Sequence, residues 1–270
     1  MMNSPLRSPK LIPLTSMRNF YEVLRRFPSY QFHLSAVREC LRVPEKLDEM
    51  IQDSVDHVAQ YKNEGERFHD RGTDGAPTEA CRGSKHLSNR ITCRIVDRQF
   101  SLDMPKLQFD YVDYEIGPLR TTGGTKFENG KNSSSGGIDL LLTNRRDSVP
   151  IIGEVKAEKD ATLFLALIQS LTYAIELMAD SQRTRLQSAY PNRFKIHQDG
   201  PFVDIYLIQV RAPEDEWSER FLTAVDELAS RVLKEPSAGS LLRRIVCLET
   251  PLPDDGAAEF SVRFCHEPTA

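Results

Sequence analysis

A chain of 270 residues, 40% hydrophobic and 27% charged, holds enough apolar side chain for a sizeable core, which excludes a wholly disordered protein. The formal net charge of −4 argues against whole-surface attraction to nucleic acid, although a local basic stripe remains compatible with phosphate binding. No apolar run approaches the ~20 residues that span a bilayer, and residues 1–14 lack a continuous apolar signal core, so a cytoplasmic protein with no membrane partner is expected.

In chain order, residues 1–15 hold three prolines and little periodicity, which reads as a mobile arm. Ser16 is placed to cap a short helix running to Phe27, where Pro28 stops it. Pro44 suits a first helical position, and Leu47, Ile51, Val55 and Val58 then recur at helical spacing, so residues 44–62 form an amphipathic helix. Residues 1–62 together make an N-terminal arm and helical extension, a possible surface for a homodimer or a protein partner. The polar, Gly-rich run 63–77 is a linker, and residues 78–270 are the main domain.

A second helix is expected from Thr78 to about Arg98, with Ala80, Leu87, Ile91 and Ile95 on its inner side. Arg82, His86, Arg90, Arg94 and Arg98 recur every four residues along another side. Like charges at that spacing repel slightly. They fit either a solvated face paired with acids elsewhere or a contact with phosphate.

Residues 107–116 alternate as a strand and lead into a Gly- and Ser-rich loop, 117–137. Within it, "GTKFENGK" (124–131) imitates a phosphate-binding loop but has one residue too many between its glycines, and Asn132 stands where Ser or Thr would hold Mg²⁺. Strands follow at about 137–143 and 149–157 around the turn "NRRDS", then a long helix from Ala161 to about Gln187. Residues 202–210 form another strand. Trp217, Phe221, Val225, Leu228 and Val232 mark an amphipathic helix ended by Pro236, and strands near 244–248 and 259–265 close the chain. Five cysteines, Cys40, Cys81, Cys93, Cys247 and Cys265, lie far apart and read as reduced thiols, and neither they nor the six scattered histidines have zinc-site spacing.

"GGIDLLLTNRRDSVPIIGEVKAEKD" (136–160) poses the chemical question, because two buried strands carry Asp139, Glu154 and Lys156 in their middle. Opposed residues of an antiparallel hairpin have a constant index sum, so a turn centred between Arg146 and Asp147 sets Asp139 opposite Glu154. Side chains alternate along a strand, so Lys156 shares the face of Glu154, and Gly137 across from it leaves room. Two facing carboxylates repel or share a proton unless a cation lies between them. A hard divalent ion takes oxygen ligands and resolves the conflict. Gln169 and Tyr173, four residues apart in an otherwise apolar helix, project together from one face.

Asp139, the run Glu154-Val155-Lys156 in the next strand, and Gln169 with Tyr173 in the following helix resemble the PD-(D/E)XK phosphodiesterase superfamily. The likeness covers about residues 79–210 and is strongest over 136–173. Its "GGID" and "GEVK" surroundings are most similar to archaeal Holliday-junction resolvases, type I restriction-subunit nuclease domains and related DNA-repair nucleases. The resemblance implies an α/β fold with a restriction-endonuclease-like mixed β-sheet core flanked by helices. It also implies Asp139, Glu154 and the Val155 carbonyl as ligands of Mg²⁺ or Mn²⁺, and Lys156 as the catalytic lysine. Gln169 would support the site and Tyr173 would contact DNA. Ile138 stands in place of the family's nominal proline. For the acid that many members carry before the sheet, Glu79, Asp113 and Glu115 are the candidates, with Glu79 foremost. Arg82, Arg90, Arg94 and Arg120 are candidates for holding the DNA backbone. The expected activity is hydrolysis of DNA phosphodiesters, endo- or exonucleolytic. The alternative is a catalytically silent binding or scaffold protein that keeps the nuclease fold.

Overall fold

Ser16 is the first residue described in the computed structural model, which covers residues 16–59, 87–116, 137–157, 162–177, 179–195, 201–211, 216–251 and 257–268. Its hydroxyl accepts from the Asn19 N–H at 3.2 Å and caps α1 (Met17–Arg26), whose last turn carries Arg25 and Arg26. Side-chain oxygen at the start and positive charge at the end both suit the helix dipole. Between Pro28 and Pro44, a stretch with no expected element, lies α2 (Tyr30–Arg42). Ser29 caps it by accepting from the Phe32 N–H at 3.3 Å. A serine directly after a proline was the signal for it. Helix α3 (Pro44–Ala59) begins at Pro44, and Leu47, Ile51 and Val58 are buried.

Helix α4 (Leu87–Val96) buries Ile91 and Ile95 as its spacing demands; Thr78 to His86 lie outside the described residues. Arg98 sits past its end at φ 56°, in the left-handed region, so the basic stripe leaves the helix after Arg94. The strands are β1 (Phe100–Leu102), β2 (Phe109–Ile116), β3 (Ile138–Asn144), β4 (Pro150–Lys156), β5 (Val203–Arg211), β6 (Leu242–Pro251) and β7 (Ala258–His266). The long helix expected over 161–187 is two helices, α5 (Leu163–Leu177) and α6 (Asp180–Ala189), because Ala179 is extended at ψ 132°. Helix α7 spans Glu216–Val232. Pro236, expected only to end it, also opens the short α8 (Pro236–Leu241), where its fixed φ suits the first turn.

The seven strands form one mixed sheet in the order β1-β7-β6-β5-β4-β3-β2. β4, β5 and β6 run parallel to one another; on one side β3 is antiparallel to β4 and β2 to β3, and on the other β7 is antiparallel to β6 while β1 runs parallel to β7. Alternation divides the sheet into two dry faces. Leu141, Ile152, Ile205, Leu207 and Ile245 point to a core built with α1, α2, α3, α5 and α7. Leu140, Leu142, Ile151, Val155, Tyr206 and Val246 point the other way, to α4 and an aromatic group in which Phe100 stacks on Phe109 at 4.8 Å. The N-terminal helices therefore share a core with the sheet. One tie is internal and charged: Arg18 of α1 is 5% exposed and donates to both carboxylate oxygens of Glu176 on α5.

Among the described residues no single helix is long and apolar enough to cross a membrane. The most apolar, α5, is buried at every position. Cys40, Cys93, Cys247 and Cys265 are free thiols, and Cys81 lies outside the described residues.

Candidate metal centre between β3, β4 and α5

The β3–β4 hairpin has the register expected from its turn: Leu140 pairs with Gly153, Leu141 with Ile152 and Leu142 with Ile151. One step further along, Asp139 stands opposite Glu154. There the ladder changes character, because Asp139 Oδ2, a side-chain atom, accepts from the Val155 N–H at 2.9 Å. The strands approach closely at this point. A Cβ on Gly153 would lie 3.0 Å from that of Leu140, so any larger residue there would have to push the neighbouring strand back by a few tenths of an ångström.

Glu154 is fully buried. Its Oε1 accepts from Lys156 Nζ at 2.7 Å, and its Oε2 has no hydrogen-bond partner. Burial and then the neighbouring Asp139 carboxylate push Glu154 well above the usual carboxylate range, and Lys156 pulls back only in part. Burial works against the Lys156 ammonium, yet Glu154 and Asp139 outweigh it and hold the lysine above its ordinary value, fully charged. Lys156 Nζ also lies 3.3 Å from Gln169 Oε1, and Gln169 Nε2 donates to the Tyr173 hydroxyl at 3.4 Å. The polar pair projecting from α5 thus ends on the lysine, as a buried polar group requires. Burial also raises the Tyr173 phenol, so it stays protonated.

The structure brings together five residues that the sequence singles out: Asp139, Glu154, Lys156, Gln169 and Tyr173. The Val155 side chain points into the opposite core, which leaves its backbone to the site. Glu79, Arg82 and Arg120 lie outside the described residues. Glu115 occupies the position on β2 between the pairs Tyr114–Leu140 and Ile116–Ile138, and so faces Asp139 in register; its side chain is outside the description. Asp113 is engaged elsewhere, accepting from the Tyr190 hydroxyl and from the Tyr114 N–H. Among the described residues no group of three or more His, Cys, Asp or Glu side chains comes together.

Arg90 and Arg94 ride on α4, which covers the other face of the sheet, and the Arg94 guanidinium donates to Gln99 at 2.5 Å. They do not join the acid pair. Two residues that no motif announced do border it. Arg18 and Tyr21, three apart on α1, pack against Tyr173. Only the helical spacing that sets them on one face could have hinted at this. No family model matches the chain, and no curated protein or solved structure is significantly similar to it.

Proposed function

We propose that this chain is a nuclease of the PD-(D/E)XK kind, with a restriction-endonuclease-like core, that hydrolyses DNA phosphodiester bonds with Mg²⁺ or Mn²⁺. One observation carries the proposal. A fully buried glutamate keeps one oxygen without a donor, faces a second carboxylate, and has a charged lysine on its other oxygen. Leaving a buried charge half-satisfied costs several kcal/mol in an inert core. Oxygen ligands of this kind fit a hard divalent ion, which Asp139, Glu154 and the Val155 carbonyl would hold. Such an ion supplies an acidified water and neutralises charge developing on the phosphate.

The protein's own part is orientation. The Val155 N–H fixes one oxygen of Asp139. Lys156, held charged by the two acids and steadied by Gln169, is a point charge for the scissile phosphate or for the attacking water. DNA as the substrate rests on the likeness of residues 136–173 to DNA nucleases. A cytoplasmic location belongs to the same proposal. A homodimer or protein partner meeting the N-terminal helices would use their outer side, where Phe27 and Tyr30 are exposed, since the inner side is spent on the core.

The test is incubation with linear, circular, single-stranded and branched DNA in Mg²⁺, Mn²⁺ or EDTA. Cleavage that needs the metal supports the reading, and inertness toward every substrate rejects it. A silent scaffold is the second reading, favoured by the Lys156–Glu154 pair, which already neutralises one of the two acids that meet. Calorimetric titration with Mn²⁺ separates the two. A site lost in Asp139→Ala supports the nuclease, and no site supports the scaffold.

A further inference from the structure

The acid pair is bounded by α1 as well as by the hairpin and α5. Arg18 is the clamp that holds the two helices together. Its Nε and Nη2 donate to Glu176 at 2.9, 2.5 and 2.6 Å, so both carboxylate oxygens are used. The same guanidinium lies 5.5 Å from the centre of the Tyr21 ring and 5.4 Å from that of Tyr173. The two rings are 6.3 Å apart and tilted by 60°. The Met17 N–H also donates to Ser54 Oγ at 3.0 Å, and the Met17 carbonyl lies 3.3 Å from Thr172 Oγ1, whose hydroxyl has the Ile168 carbonyl of its own helix at 2.8 Å.

Tyr21 is thus locked beside Tyr173, with 3% of its surface exposed. From there a chain of contacts runs through the Tyr173 hydroxyl to Gln169 and on to Lys156 Nζ. A phenylalanine would fill the same apolar space without burying a hydroxyl, and a buried hydroxyl costs free energy unless it has work to do with polar neighbours. The polar neighbours are the site's own. Burial and then the Glu154 carboxylate raise the Tyr21 phenol, and the Lys156 charge acts on it in the opposite sense. It therefore remains an O–H donor at neutral pH.

We propose that Tyr21 is a positioning residue of the candidate centre: supplied by α1 and braced by the Arg18–Glu176 clamp, it fixes Tyr173 and, through Gln169, the direction of the Lys156 ammonium. The inference rests on the nuclease reading for its catalytic consequence, while the positioning of the lysine stands without it. It makes α1 part of the reaction centre.

The experiment uses the full chain with ¹³Cε-labelled lysine, the Lys156 resonance being assigned by its disappearance in Lys156→Met. Tyr21→Phe, which keeps the ring and its packing, is expected to move that resonance while leaving the other lysines and the thermal midpoint in place. In cleavage assays with Mn²⁺ the same variant is expected to lose about tenfold in kcat or more, with KM within about twofold of the wild type. An unmoved Lys156 resonance overturns the proposal, as does an unmoved kcat in an active enzyme. If the wild type cleaves no DNA, the nuclease reading fails by itself and the resonance alone decides the positioning. If Tyr21→Phe unfolds, Tyr173→Phe interrupts the same chain of contacts one link on. It must then shift the Lys156 signal for the proposal to stand.

Discussion

Among the described residues two carboxylates of the sheet are fully buried, and they are treated in opposite ways. Asp204, on β5 near the start of the parallel strands, accepts from Arg243 Nε at 2.8 Å and Nη2 at 2.5 Å and has Arg244 Nε at 3.5 Å. Glu154, on β4, has one lysine, one unsatisfied oxygen and a second acid beside it. Burial raises both groups. For Asp204 the next influences are its arginines, which pull it down; for Glu154 the next is Asp139, which pushes it further up. Asp204 is closed by its partners, whereas Glu154 is left open on one oxygen, as the proposed metal site requires. Glu176, closed on both oxygens by Arg18, belongs with Asp204.

Substitutions should part the two sites. The largest effect is expected from Glu154→Gln: metal-dependent DNA cleavage falls about 10³-fold or more while the urea midpoint holds or rises, since the change removes a half-satisfied buried charge. Retained cleavage would erase the distinction from the Glu154 side. Asp204→Ala is expected to do the reverse, costing about 3–5 kcal/mol in urea unfolding because Arg243 and Arg244 lose their fully buried partner and keep only the more exposed Asp147 and Glu267. A loss under about 1 kcal/mol would mean that this pair is not structural. Lys156→Met is expected to lower cleavage by about 10²-fold and to leave Mn²⁺ binding detectable by calorimetry, because the proposed ligands are oxygens of Asp139, Glu154 and the Val155 carbonyl.

The smallest effect concerns acid. His33 is buried in α2, where Nε2 meets the Leu24 carbonyl at 2.9 Å and Nδ1 meets the Thr162 hydroxyl at 2.7 Å. The carbonyl only accepts, so the proton sits on Nε2 and the Thr162 hydroxyl donates to Nδ1. Burial lowers His33 below its ordinary 6.5. The folded state therefore binds this proton less readily than the unfolded one. Its contribution to stability is complete above about pH 6.5 and is lost as pH falls through the folded value. Unfolding free energy should decline with acid over that window, by at most about 1.4 kcal/mol per pH unit for one proton. His33→Gln should flatten the slope; an identical slope in that variant would place the acid sensitivity elsewhere.

Much of the fold was legible because it is written in local patterns. Ser16 and Pro28 bound α1, Pro44 opens α3, alternation marks β2 and β7, and apolar runs mark the strands between them. Apart from α2, whose Ser29 cap could have been read, what was missed lacked such a pattern. Strand β1 is three residues long and exists because Phe100 and Leu102 pair with β7, far along the chain. The division of α5 from α6 depends on a single extended alanine within a run of good helix formers. At the site, Asp139, Glu154, Lys156, Gln169 and Tyr173 were all legible, since a turn sets hairpin register and helical spacing sets the Gln–Tyr pair. Arg18 and Tyr21 were not, because nothing local relates residue 21 to residue 154. The arginines of α4 looked equally promising in sequence, yet their helix covers the opposite face.

The sequence by itself determined most of the helices and strands, and which acids meet across the β3–β4 turn, because these follow from interactions between near neighbours and from side-chain period. Only the tertiary structure decided that α1 closes over α5 and that α4 lies across the sheet from the acid pair. It alone shows that Glu154 keeps an open oxygen while Asp204 does not. Those outcomes depend on which apolar faces find each other over more than a hundred residues of chain, and no local period encodes that choice.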